Sequence, residues 1–225
     1  MNRMRDRRMR ETPYRLFDVT CAAAGLVIMM PVLAALAALI LWNDGPPVLF
    51  SQWRVGRRGR QFRIWKFRTM RAGDKGSLVT AAGDKRVTRI GATLRRFKLD
   101  ELPQFFNVLK GDMSLVGPRP EIPECVRLDA PIWQAVLQVR PGVTDLATLM
   151  YRDEEDQLGA SSDPEATYRE TVLPAKLALN LLYLRSKSFW RDLKLLYLTA
   201  RFSLFPEELD RDLIRRTLAL EFQNE

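Results

Sequence analysis

Histidine is absent from the 225-residue chain. That absence removes imidazole general bases, histidine-dependent triads and histidine-bearing metal sites. Cysteine is scarce: Cys21 lies in an apolar run and Cys125 in a polar stretch. Two thiols without histidine make no ordinary structural zinc site, so both are expected to be reduced and inert. Acidic residues are in deficit, 27 against 36 basic ones, which gives a formal net charge of +9. Such an excess asks for a polyanionic partner; nucleic acid, anionic lipid and a nucleotide diphosphate all qualify. Nucleophilic or acid–base chemistry falls to carboxylates.

Charge is missing altogether from Val19 to Trp42, a run that reaches the ~20 residues of a bilayer span. Arg3, Arg5, Arg7, Arg8, Arg10 and Arg15 precede it, and Arg54, Arg57, Arg58, Arg60, Arg63 and Lys66 follow. Both flanks prefer the cytoplasmic face, so a simple crossing would strand one of them. Pro31 bends an apolar helix at mid-length, and a re-entrant hairpin returning through the same leaflet is expected. A bitopic span is the alternative. A cleavable signal fits less well, because the apolar core is long and the following chain is basic.

Past Pro46 and Pro47, Val48 to Arg54 and Gln61 to Met70 alternate as strands around a Gly56–Gly59 turn, predicting a basic β-hairpin. The hairpin arginines suit a solvated or headgroup-facing ribbon as well as a substrate role. Arg71 to Arg86 has no period and reads as a mobile loop able to close over a ligand. Ala92 to Arg96 predicts a short helix that carries Arg95 towards Asp100, and a guanidinium there can grip two diphosphate oxygens.

The segment KLDELPQFFNVLKGDMSLVGPRP, Lys98 to Pro120, holds the densest information. Pro103 is tolerated only in a helix's first turn, so a helix is expected to begin near Asp100. Phe105, Phe106, Val108 and Leu109 give it an apolar face, and Lys110-Gly111 a basic last turn and a left-handed stop. A helix N-terminus attracts anions and keeps carboxylates ionised. On this evidence alone Asp100-Glu101 reads as an ordinary cap. Gly117-Pro118-Arg119-Pro120 fixes a rigid turn that aims Arg119.

These residues resemble the bacterial sugar transferases, the monotopic polyprenyl-phosphate phosphoglycosyl transferases in their small single-domain form. Lys66-Phe67-Arg68-Thr69-Met70 matches a second segment of that family, and Arg140-Pro141-Gly142-Val143-Thr144 a third. The chain departs from the family at Asp145 to Leu149, where glycine, tryptophan and glutamine are usual, so the identity of the sugar does not carry over. The resemblance implies that Asp100 attacks the sugar-bearing phosphorus of a UDP-sugar, expels UMP and passes the phosphosugar to polyprenyl (undecaprenyl) phosphate. It implies phosphate-binding roles for Lys66, Arg68, Arg95 and Arg119. Mg²⁺ is the expected cofactor, held by Asp100 or Glu101, because hard oxygen donors without histidine or thiolate favour it. The expected place is the cytoplasmic face of the bacterial inner membrane, among its lipids, with no nucleic acid as partner. Homodimerisation is left open.

The acidic run Asp153 to Asp156 reads as a solvated loop without a catalytic role. Thr171–Leu184 and Trp190–Phe205 predict two helices. In the second, Leu193, Leu196, Tyr197, Ala200 and Leu204 form a stripe for core packing or an interfacial helix, with Trp190, Phe202 and Phe205 as headgroup-seeking aromatics. The expected architecture is a helix-rich α+β fold: residues 1–47 the basic start and membrane segment, 48–205 the catalytic domain, 206–225 a charged C-terminal helix. A rival assignment is a membrane-tethered basic protein that binds nucleic acid or anionic lipid without catalysis.

Overall fold

The computed structural model describes residues 2–71 and 79–218. A first helix, α1 (Asn2–Asp44), contains both Pro13 and Pro31. The hairpin expected at Pro31 is not what forms: the helix runs through the proline uninterrupted. A mid-helix proline removes one hydrogen bond and bends the axis without having to end the helix. The inward stripe stays in phase across it. Asp18, Ala22 and Leu26 are buried before Pro31, and Leu33, Leu36, Ala37 and Ile40 pack with Phe67 and Leu94 after it. Val27, Ile28, Met30, Leu39, Leu41 and Trp42 face outward, and Trp42 is 90% exposed. By length and composition Thr12–Asp44 suffices to cross a membrane.

Strands β1 (Leu49–Val55) and β2 (Gln61–Phe67) pair antiparallel, Leu49 opposite Phe67 and Val55 opposite Gln61. Arg58 (φ 58°) and Gly59 (φ 76°) supply the left-handed turn between them. The tip rests on protein rather than projecting as a ribbon: Arg58 N donates to Leu137 O at 2.8 Å and Arg57 Nε to Gln138 O at 3.0 Å. Met70 bridges Val87 and so closes the base of the following loop. Residues 72–78, the first half of the expected closing loop, lie outside the described residues.

Helix α2 (Arg89–Arg96) is capped by Thr88, whose Oγ1 accepts from Gly91 N and donates to Asp44 Oδ2. A Cβ on Gly91 would stand 2.1 Å from Thr69 O, so only glycine lets α2 approach the strand end. The helix expected from Asp100 is split. A 3-10 turn covers Leu99–Glu101, and α3 (Gln104–Lys110) follows, stopped by Gly111 at φ 97°. Then come β3 (Ser114–Val116), α4 (Pro131–Val136) and β4 (Gly142–Thr144), with β3 and β4 parallel.

Asp145 caps α5 (Leu146–Met150); α6 (Glu154–Gly159) and α7 (Pro164–Thr167) follow, and a π-helical turn, Tyr168–Val172, leads into α8 (Leu173–Arg185). The acidic run expected as a loop is therefore the start of α6. Helix α9 (Phe189–Leu204) buries Asp192, Leu195, Leu198 and Phe202. This reverses the core option for most of the predicted stripe: Leu193, Tyr197, Ala200 and Leu204 face outward with Trp190 and Phe205, while Leu196 packs against the core. Phe202 belongs to the core, not to the aromatic rim. Helix α10 (Arg211–Leu218) places Ile214 and Leu218 in the same cluster as Ala22, Val108, Leu115 and Leu195. The C-terminal helix thus completes the central core. Both cysteines are free.

Candidate active site

The inner ends of β1 and β2, the 3-10 turn, the loop after β3 and the segment from α5 to α8 surround one cleft of about 730 Å³. Its lining carries ten basic side chains against five acidic ones, so it draws anions whatever the charge elsewhere. Asp100 and Glu101 sit side by side in its wall, each 7% exposed. The Lys98 backbone in the left-handed region (φ 57°) turns the chain into the 3-10 segment that presents them.

The two carboxylates have opposite surroundings. Glu101 Oε1 accepts from Lys66 Nζ at 2.8 Å and from Arg119 NH2 at 2.5 Å, while Oε2 accepts from Arg119 NH1 at 3.2 Å. Burial alone would raise its carboxyl, but Arg119 and Lys66 outweigh burial and hold it well below the usual range. Asp100 has no such pair: its Oδ1 is buried without a hydrogen-bond partner. Burial pushes the Asp100 carboxyl up, and Lys66 only partly opposes it. Burial likewise lowers Lys66 to about 8 despite Glu101, whereas Glu101 raises Arg119 above its ordinary value. One carboxylate is a fixed anion locked between cations; the other is buried with its Oδ1 unengaged.

Arg119 is aimed by backbone packing as well as by its prolines. Gly117 and Gly142 lie against each other's chain so closely that a Cβ on Gly117 would stand 2.5 Å from Arg140 O and one on Gly142 2.1 Å from Gly117 N. Arg119 N then donates to Asp145 Oδ2 at 2.9 Å, and Asp145 is wholly buried.

The remaining predicted residues divide. Arg95 lines the cleft, its Nε and NH2 on Glu155 Oε1 at 3.1 and 2.5 Å. Arg68 lines the cleft too, and its guanidinium is engaged by backbone carbonyls. NH1 donates to Pro46 O (2.7 Å) and NH2 to Asp44 O (2.7 Å) and Gly45 O (2.5 Å), so its guanidinium clamps the chain leaving α1.

A profile of the bacterial sugar transferases matches residues 9–206. The chain belongs to that family. It is 36% identical over 192 residues to the UDP-N-acetylgalactosamine-undecaprenyl-phosphate N-acetylgalactosaminephosphotransferase of Aeromonas hydrophila, covering 83% of this chain and 42% of that protein. It is 36% identical to the UDP-glucose:undecaprenyl-phosphate glucose-1-phosphate transferase of Klebsiella pneumoniae, over 82% of this chain and 38% of that one. The Caulobacter vibrioides protein of the same name is 39% identical over 82% of this chain and 67% of its own length. The chain spans about two fifths of the first two relatives.

In this family member, sequence reasoning missed several lining residues. Glu154 and Glu155, read as solvated, form cleft wall with Lys176 and Arg95. Arg152, Glu121, Tyr168 and Lys176 also line it. The only early sign was position: Glu121 directly follows the rigid turn, and Arg152 directly precedes the acidic run. Among the described residues no three acidic or cysteine side chains cluster as a ready metal cage. Mg²⁺ needs less, since it binds through one or two carboxylates plus substrate phosphates. The unpartnered Asp100 Oδ1 and the Glu101 Oε2, which accepts from Arg119 alone, are oxygen donors that fit.

Proposed function

We propose that the protein transfers a sugar phosphate from a UDP-sugar to polyprenyl phosphate at the membrane surface, releasing UMP. The observation that carries this reading is the division of labour between Glu101, paired with Lys66 and Arg119, and Asp100, buried with an unengaged oxygen. An Asp100 oxygen attacks the sugar-bearing phosphorus; the bond to the UMP oxygen breaks and UMP leaves with the electron pair. An oxygen of the polyprenyl phosphate then attacks the same phosphorus and the carboxylate departs. Lys66 and Arg119, fixed by Glu101, balance the charge that builds on the phosphoryl oxygens. Mg²⁺, when held by Asp100 or Glu101, would offset diphosphate charge. A purely binding role leaves the desolvated Asp100 without purpose.

The acceptor would enter past Pro47, Leu49 and Phe50, the apolar lip where the cleft meets the end of α1. Both ends of the apolar helix are tied to this one domain. Arg15 donates to Val108 O and Leu109 O, Asp18 accepts from Ser114 Oγ and Leu115 N, and Asp44 accepts from Thr88. This fastening of both ends to one domain supports monotopic seating, and the basic flanks favour the cytoplasmic leaflet. The outward face of α9 supports interfacial contact.

The test is UMP release from a panel of UDP-sugars by detergent-solubilised protein with polyprenyl phosphate, with and without Mg²⁺. Asp100→Asn is expected to abolish both UMP release and labelled-sugar transfer. Full activity in that variant refutes the mechanism.

A further inference from the structure

The cleft is not uniform along its length. Around Asp100 and Glu101 cations outnumber anions, and Lys98 and Arg152 make no ion pair among the described residues. Along the wall formed by Arg54, Glu121, Glu154 and Lys176, each cation has its own carboxylate. Arg54 lies 3.7 Å from Glu121, and Lys176 Nζ lies 2.7 Å from Glu154. Tyr168 joins the two pairs: its hydroxyl donates to Glu121 Oε1 at 2.8 Å, and Lys176 stands 5.3 Å from its ring. Tyr168 occupies this place because the helix widens into a π-helical turn there, a device frequent at functional sites.

A wall of mutually neutralised donors and acceptors beside an aromatic ring offers hydrogen bonds in many directions and no net charge. A cationic waist suits a diphosphate, and the neutral wall suits a polyhydroxyl group attached to it. We infer that Arg54, Glu121, Tyr168, Lys176 and Glu154 form the subsite for the donor's sugar ring, and that this subsite selects an uncharged, hydroxyl-rich sugar over an anionic one. The inference rests on the proposed transferase reaction. An added carboxylate would meet Glu121 and Glu154 with their partner cations already engaged. Residues before and after the rigid Arg119 turn thus divide the donor between them: Glu101 fixes its phosphate ligands, and Glu121 its sugar contacts.

The experiment compares UMP release from UDP-hexoses, UDP-N-acetylhexosamines and UDP-hexuronates by wild type, Tyr168→Phe and Lys176→Gln, with inhibition by UMP measured in parallel. An uncharged donor is expected to exceed the hexuronate by about tenfold or more, as for a site built to pair hydroxyls. Removing one hydroxyl bond should change the ratio of kcat/KM between two neutral donors about fivefold, with UMP inhibition unchanged. A merely structural role would lower every donor by one factor. Parallel loss across donors in both variants, or preference for the hexuronate, overturns the subsite while leaving the transferase reading intact. Absence of UMP release from every donor in folded wild type overturns both.

Discussion

Arg68→Ala should loosen the junction between α1 and the hairpin and leave the chemical step alone. Arg68 is 6% exposed, and its guanidinium donates to three carbonyls, those of Asp44, Gly45 and Pro46. Hydrogen bonds from a charged donor contribute ~1.5–3 kcal/mol each. Pro46 is exposed, so water can replace part of what is lost there. The expected cost is about 3 kcal/mol, which for a chain of this size is a fall in Tm of roughly 6–12 °C. Arg68→Lys keeps the charge but cannot serve two carbonyl directions with a rigid fork, and should recover less than half of the loss. The assay is thermal unfolding in detergent followed by intrinsic tryptophan fluorescence, with the KM for the UDP-sugar measured well below the variant's Tm. A Tm within 2 °C of wild type, taking ~3 °C per kcal/mol, together with a large rise in KM, would refute the clamp and return Arg68 to the substrate.

Lys66, with its pKa lowered to about 8, ties activity to pH. Above that value it loses its charge and kcat/KM should decline; in Lys66→Arg, whose side chain stays protonated, the limb near pH 8 should vanish. Stability should run the other way. Between about 8 and the ordinary lysine value the unfolded chain binds more protons, so this group's contribution rises with pH, and a Tm profile of both proteins checks it. The double substitution Trp190→Glu/Tyr197→Glu removes two exposed aromatics from the outer face of α9 and should weaken liposome binding by about tenfold or more, the effect of only ~1.4 kcal/mol; unchanged co-sedimentation would assign that face to another partner. In a variant lacking Cys21 and Cys125, a cysteine placed at Asn43 should resist impermeant thiol reagents applied to intact cells, and labelling from outside would restore the bitopic model.

What could be read early was whatever depends on chain-local rules. Gly111 and the Gly117–Pro120 turn announced where a helix stops and where Arg119 points, and the apolar run announced α1; Pro103 marked a helix start but placed it about four residues too early. What could not be read were pairings across long loops. Nothing local tells that Glu155 answers Arg95 sixty residues away, or that three carbonyls ending α1 claim Arg68. The stripe on α9 misled because an apolar face looks the same in sequence whether it packs inward or stays exposed. The true core stripe includes Asp192, which looks polar in sequence but is buried against Tyr183 and Lys187. Pro31 misled for a different reason: a lost hydrogen bond bends a helix, and packing on both sides can still hold it as one.

The fastening of α1 also sets a timetable for synthesis. Asp18 waits for Leu115, 97 residues later, and Asp44 for Thr88, 44 residues later. At ~5–20 residues per second Thr88 follows Asp44 by roughly 2–9 s, and Leu115 follows Asp18 by roughly 5–20 s. During that interval it has only lipid or a chaperone to shelter its apolar faces. On the proposed membrane seating, the nascent chain meets the bilayer first and wraps its remaining elements around the anchor afterwards, so delivery to the membrane becomes an early step of folding rather than the fate of a finished protein.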